Sequence, residues 1–118
     1  MPRGSKLIWD SVRRIMHRLP GAVEGTSYGT AAFHVRGKFL VRLREDGETL
    51  AVRCAFDERD ARMAAYPKAF FITDHYENYP AVCVRLSAVK VADLKSVLES
   101  AWRANAGKKL VEELDGRA

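Results

Sequence analysis

Arginines recur at alternate positions through the first half of the chain. Arg36, Arg42, Arg44 and Arg53, with His34 and Lys38, take one parity, while Phe33, Val35, Phe39, Val41, Leu43, Leu50, Val52 and Cys54 take the other. Successive side chains of a β-strand point to opposite faces, so this spacing predicts a sheet that is apolar on one face and cationic on the other. Arg85 extends the cationic set on a later strand. Guanidinium forks match the oxygens of phosphate and carboxylate. The chemistry expected of that face is recognition of an anion, with each phosphate contact releasing counterions and making binding sensitive to salt. If the face is solvated instead, the arginines should pair across strands with Glu45, Asp46 and Glu48.

Two other stretches carry polar and aromatic chemistry. The loop 25–30 holds Thr26, Ser27, Tyr28 and Thr30 together with Gly25 and Gly29, and such loops present donors to an anion as well as forming ordinary turns. The run Thr73-Asp74-His75-Tyr76, followed by Tyr79, places tyrosines where they could stack bases or close a pocket. Asp74 and His75 adjoin in a stretch read as strand, so they should face opposite ways and form no acid–base dyad. His17, His34 and His75 are scattered without metal-binding spacing, and no metal is expected. Neither GxxxxGK[ST] nor GxGxxG occurs, so nucleotide hydrolysis has no support. No nucleophile, base and orienting group can be assembled, so the chain is not expected to be an enzyme or to carry a cofactor.

The elements that must position these residues follow from periodicity. Residues 6–18 predict an amphipathic helix with Ser5 as N-cap and a stripe of Ile8, Val12, Ile15, Met16 and Leu19, stopped by Pro20-Gly21. Its off-stripe Arg13, Arg14, His17 and Arg18 complement the negative end of the helix dipole or extend a basic surface. Strands are predicted at 31–36, 38–44 and 49–55, joined by turns at Gly37 and Asp46-Gly47, and 23–29 is a candidate edge strand. A helix over 57–66 should begin with Asp57 as N-cap and Asp60 completing a capping box, with Pro67 closing it. Strands at 69–73 and 81–86 follow, then a helix at 91–105 with Leu94, Val97, Leu98, Ala101 and Trp102 inward, and a last helix at 108–115. Trp9 and Trp102 are read as packing residues. The predicted fold is α+β and two-layered, an antiparallel sheet of about five strands with helices on one face.

With 118 residues the chain fits one domain, 1–118, able to form a core without metals or disulfides. No apolar run approaches the roughly 18 residues of a membrane span, and no secretory signal is read at the N-terminus. Cys54 and Cys83 are read as buried reduced thiols of a cytoplasmic monomer, although strict alternation puts Cys83 on the cationic parity. The net charge is +5, but residues 1–44 carry nine Lys or Arg against two acids, and the remainder is net negative. A domain with a pI near 9.5 and clustered cations suits a nucleic-acid partner.

The residues Leu19-Pro20-Gly21, Glu24-Gly25-Thr26-Ser27-Tyr28-Gly29 and Ala32-Phe33-His34-Val35-Arg36-Gly37-Lys38-Phe39, with Phe71-Ile72-Thr73-Asp74-His75-Tyr76 and Tyr79-Pro80-Ala81-Val82, resemble the MmcQ/YjbR family of small bacterial proteins. The resemblance covers nearly the whole chain. It implies a frataxin-like (CyaY-like) "double wing" fold and a DNA-binding role. Glu77-Asn78-Tyr79-Pro80 departs from one branch of the family, which has an Asn-Lys pair followed by Trp here. The acidic first helix that serves iron handling in frataxins is replaced by a basic one.

The expected function is weak, mainly sequence-nonspecific DNA binding through Arg36, Lys38, Arg42, Arg44, Arg53 and Arg85, with Arg36-Gly37-Lys38 as wing tip and Arg13, Arg14 and Arg18 assisting. The alternative is a small-ligand or protein-interaction module, taking a small anion at Thr26, Ser27, Tyr28, His75, Tyr76 and Tyr79.

Overall fold

A computed structural model describes residues 7–117. The expected N-cap, Ser5, lies outside them. The first helix, α1 (Trp9–Met16), buries Val12 and Met16, and Leu19 beyond it is buried too, whereas Ile8 is left half exposed. The α1 end is tied locally by the Ser11 hydroxyl, which accepts from the Ile8 N–H at 3.1 Å. Six strands follow rather than five: β1 (Ala22–Ser27), β2 (Thr30–Val35), β3 (Lys38–Leu43), β4 (Thr49–Arg53), β5 (Phe70–Phe71) and β6 (Ala81–Arg85). They form one antiparallel sheet in the order β1-β2-β3-β4-β6-β5. The candidate edge strand is thus a full six-residue strand, paired with β2 along its whole length. The stretch 69–73 shrinks to the two residues of β5, and Asp74–Tyr76 forms a single 3-10 turn instead of continuing the strand.

Helix α2 (Phe56–Ala65) begins with Ala55 as an uncapped N-cap. Asp57 therefore sits inside the first turn, where its carboxylate accepts from the Glu58 N–H at 2.9 Å, and the expected capping box is not formed. Helices α3 (Val91–Ala106) and α4 (Lys108–Asp115) complete the chain. The α3 stripe is buried as its spacing requires, and α3 packs against α1 and strands β2, β3 and β4. Trp102 is fully buried and donates its indole N–H to the Pro20 carbonyl at 2.8 Å. That bond, worth about 1 kcal/mol, ties the α3 stripe to the turn that leads from α1 into the sheet.

The main core lies between sheet and helices and includes Phe33, Val35, Leu40, Val41, Leu50, Val52, Cys54, Val82 and Val84. Strict alternation fails once. Phe33 pairs with Val41 but His34 pairs with Phe39, so Leu40 is an extra residue in β3. This bulge turns both Leu40 and Val41 into the main core and moves Phe39, expected inward, to the opposite face. There Phe39 joins a second cluster formed by Ala51, Tyr76, Ala81 and Cys83 with Phe71 and Ile72. Cys54 and Cys83 are both buried and free, and they belong to clusters on opposite sides of the sheet.

Candidate functional site: an arginine and tyrosine cleft

The pairing register places one row of residues across the second face: Gly25, Ala32, Arg42, Ala51, Cys83 and Phe71. All four residues nearest to Arg42 in that row are small. Its long side chain can therefore lie along the sheet, and Arg42 is only 7% exposed. A buried guanidinium needs partners for its donors. Nη1 donates to the Thr30 hydroxyl at 3.2 Å and to Glu45 at 3.3 Å, and Nη2 to the Tyr76 hydroxyl at 3.3 Å. Burial opposes the charge, but Tyr76 and Glu45 outweigh it and raise the pKa of Arg42. The Tyr28 ring sits 5.3 Å from the guanidinium carbon.

Two turns wall this row. Ser27 and Thr30 are paired, so Tyr28-Gly29 is a two-residue hairpin loop, with φ of +54° and +80°. Asn-Gly is the usual occupant of such a turn, whereas here a tyrosine takes the first left-handed position and is 84% exposed. The second wall runs from the 3-10 turn to Pro80. His75 stacks on Tyr79 with ring centroids 6.0 Å apart, and meets Tyr76 edge-on at 4.8 Å. Arg59 of α2 holds this wall from behind, its Nη1 donating to the carbonyls of Tyr76 and Tyr79, each at 3.0 Å.

Between the walls lies a cleft of about 440 Å³ lined by Ser27, Tyr28, Phe39, Arg42, Arg53, His75, Tyr76, Tyr79, Pro80 and Ala81. Its volume lies within the ordinary range for small-molecule sites, roughly 300–1,000 Å³. Arg53 stands two residues beyond Ala51, the partner of Arg42, which makes the two arginines diagonal neighbours about 7–8 Å apart. Arg53 donates to the Phe39 carbonyl at 3.5 Å and makes no ion pair among the described residues. No carboxylate lines the cleft, so it is cationic and aromatic together.

The nine cationic residues expected to act as one surface are not brought together. Arg42 and Arg53 line the cleft, and Arg44 lies beside it, 5.6 Å from the Tyr76 ring and 3.9 Å from the Cys83 sulfur. Arg85 is on the same sheet but lies flat on Phe71 at 3.9 Å and donates to the Lys68 carbonyl. Arg36 turns the other way. With φ of +52° it packs against Gly107 at the α3–α4 junction, where a Cβ would come within 2.6 Å of its Nη1. Lys38 is exposed beyond that turn. Arg13 pairs with Asp10 and Glu24, while Arg14 and Arg18 border a separate depression with Lys95 and Glu99 of α3. The cations are thus divided between the two layers, because α1 packs on the face opposite Arg42.

The expected cross-strand pairing does not form: Glu45 pairs with Arg42, but from three residues further along the same segment. Asp46 instead caps its own turn, and Glu48 pairs with no cation among the described residues. Of the alternative set, Ser27, Tyr28, His75, Tyr76 and Tyr79 converge on the cleft. Thr26 does not, since its partner Ala31 puts it on the opposite parity. Phe39, Pro80, Ala81 and Arg59 were not anticipated. The signal for a covered face was present, because Ala32, Ala51, Ala81 and Cys83 occupy parity that a solvated strand would give to polar residues. Asp74 and His75 share no hydrogen bond, within a 3-10 turn rather than a strand. Among the described residues no group of three or more His, Cys, Asp or Glu could hold a metal, and no helix is long and apolar enough to cross a membrane.

Comparison with known proteins gives a family and a fold. The YjbR family model matches residues 17–104. Uncharacterised proteins of Mycobacterium bovis and of Mycobacterium tuberculosis strain H37Rv are each 32% identical over 123 residues, covering 88% of this chain and 92% of theirs. The crystal structure of the Deinococcus radiodurans protein DR2400, with domain family DUF419, superposes with a TM-score of 0.74 at 18% identity, over 93% of this chain and 89% of that one.

Proposed function

This chain belongs to the YjbR family, and on that premise we propose that it binds single-stranded nucleic acid, weakly and with little sequence preference, seating a base in the cleft beside Arg42 and Arg53. The observation that carries the reading is the convergence of two arginines with Tyr28, Phe39 and Tyr79 on one cleft without a carboxylate. Single strands are held by this pairing of chemistry, cations for the backbone and aromatic rings on which any base can stack. A paired base reaches such a cleft only at the cost of unpairing and unstacking, a few kcal/mol that a single strand does not incur. The acidic turn of Glu45, Asp46 and Glu48 also stands beside the sheet face and opposes a duplex backbone. The reading assigns no catalytic step and no cofactor, and places the protein in the cytoplasm as a monomer. Two buried free thiols support a reducing compartment.

A small anionic ligand with a planar ring is the second reading. It is favoured by the nine-tenths burial of Arg42, which only a group entering the cleft can approach. One titration separates the two. Labelled single-stranded and duplex DNA of random sequence are followed by fluorescence anisotropy at low and near-physiological salt, with a nucleoside monophosphate as competitor. The proposal expects single strands to bind more tightly than duplex, with a salt-dependent constant. Equal or tighter duplex binding would overturn it. Displacement by micromolar mononucleotide would transfer the site to the small-ligand reading.

A further inference from the structure

Arg59 lies on α2, outside the cleft, and is 7% exposed. Its Nη1 donates to two carbonyls of the cleft wall, Tyr76 and Tyr79, each at 3.0 Å. The guanidinium carbon lies over the Phe56 ring, 4.8 Å from its centroid. No acid neutralises it closely, for the nearest carboxylate oxygen, of exposed Asp60, is 3.7 Å from Nε, and Nε has no hydrogen-bond partner. A buried cation whose hydrogen bonds go to two backbone carbonyls, its one carboxylate partner being exposed and beyond hydrogen-bond reach, is costly to keep for packing alone.

The helix that carries it is itself braced. Arg62 donates to Glu58 at 2.7 Å and to the Ser96 hydroxyl of α3 at 3.0 Å, and the Ser100 hydroxyl donates to Glu58 at 2.7 Å. A chain of short bonds therefore runs from α3 through α2 to the wall. The wall's other backbone bonds are those of the 3-10 turn, Tyr79 N–H to the Tyr76 carbonyl at 3.1 Å, Ala81 N–H to the Tyr79 carbonyl at 2.7 Å and, at its far end, Cys54 N–H to the Pro80 carbonyl at 2.7 Å, so Arg59 is what ties the Tyr76–Tyr79 stretch to α2. Its aromatic rings, His75 and Tyr79, are exposed and unsupported on the outer side.

We propose that Arg59 is the positioning residue of the cleft, fixing Tyr76 and Tyr79 so that the wall is set before a ring enters. It touches no ligand and acts through the two carbonyls. Its effect on binding rests on the reading of the cleft as a single-strand site, whereas its effect on the wall does not. Preorganisation of this kind acts on the ring-stacking part of recognition; strand-borne Arg53 has no bond to the wall, and Arg42, which does bond the Tyr76 hydroxyl, is also anchored by Thr30 and Glu45.

The test is native-state hydrogen exchange on the unaltered chain, then on Arg59→Lys and Arg59→Met. In the unaltered chain the amides of Glu77, Tyr79 and Ala81 should exchange through the same opening as those of α2. In Arg59→Met they should exchange at least about tenfold faster while α3 amides are unchanged, with Arg59→Lys between the two. Independent opening of wall and α2, or no change in either variant, would overturn the proposal whatever the ligand. Arg59→Met should also weaken single-stranded DNA about tenfold while leaving an abasic oligonucleotide and its salt dependence unaltered. Equal loss for both probes would reject a positioning role. If neither probe binds the unaltered protein, the single-strand reading fails and the exchange data alone decide the role of Arg59.

Discussion

Arg42 donates through Nη2 to the Tyr76 hydroxyl at 3.3 Å across 34 positions of chain, joining the buried strand cation to the turn that covers it. The Tyr76 ring also packs with Arg44, 5.6 Å from centroid to guanidinium carbon. Tyr76→Phe keeps the ring and removes only the acceptor. It should lower stability by about 1 kcal/mol, read as a lower urea midpoint with an unchanged slope. A midpoint equal to that of the unaltered protein would mean that water replaces the hydroxyl and that this bond does not hold the turn.

The fold was legible wherever a single period governed a segment. The α3 stripe and the strands from 31 to 55 could be read because each has one apolar face and polar residues opposite. The cleft was only half legible, for two physical reasons. A bulge at Leu40 reverses the parity of Phe39, and no alternation rule locates an unpaired residue in advance. The covering segment also has no period: a two-residue strand, a 3-10 turn and Pro80 close over Cys83 through tertiary contacts with residues far away in sequence. Counting arginines by parity correctly located Arg42 and Arg53 on one face, but Arg36 leaves that face through its left-handed backbone. The arginines make the face opposite the core read as an open cationic surface, although its small residues call for a cover.

Tyr28 combines a strained backbone with an exposed ring, at φ of +54° and 84% exposure. A left-handed tyrosine is uncommon and costs of order 1 kcal/mol or more, and asparagine suits the first position of this turn. Tyr28→Asn should therefore raise thermal stability while weakening binding of single-stranded DNA severalfold. Calorimetry and anisotropy on the same sample check the two together. A variant that gains no stability, or binds as well as before, would show that the turn is not held strained for the ring.

Asp46 tests the second hairpin turn through pH. Its carboxylate accepts from the Thr49 hydroxyl at 2.6 Å and from the Thr49 and Glu48 N–H groups at 2.9 and 3.0 Å. Burial pushes its pKa up, but these bonds and the charge of Arg44 outweigh it, and the net shift is below the ordinary value of 3.8. A folded pKa below the unfolded one means stability that is present above 3.8 and lost as pH falls through the folded value. Asp46→Asn should cost about 1 kcal/mol at neutral pH, and the gap to the unaltered protein should close as the pH falls below 3.8. A gap of equal size at neutral pH and in acid would remove the ionised carboxylate from the account of the turn.

The thiols report on the two clusters separately. Burial, with Glu58 adding to it, pushes the Cys54 thiol up to about 12. Burial also raises the Cys83 thiol, although Arg44 opposes the shift. Thiolate is the reactive form, so neither should react with an aromatic disulfide reagent in the native protein at mildly alkaline pH, and both should react after denaturation. Rapid native reaction of Cys83 alone would show that the covering turn opens freely.

Arg42 and Arg53 occupy one face two register positions apart, yet their substitutions should be distinguishable. Arg42 is buried among Thr30, Glu45 and Tyr76, so Arg42→Ala strands those acceptors and should lower both stability and affinity. Arg53 is half-buried and makes only a 3.5 Å bond to a carbonyl, so Arg53→Ala should leave stability within about 0.5 kcal/mol. If the nucleic-acid reading holds, Arg53→Ala weakens binding uniformly across base compositions. It should also reduce the slope of log affinity against log salt by about 0.7, the contribution of one single-strand phosphate. The double variant should then lose little more stability than Arg42→Ala, while its salt slope falls by about twice as much. A slope unchanged in both single variants, with affinity retained, would take these arginines out of the binding site and leave the cleft to an uncharged ligand.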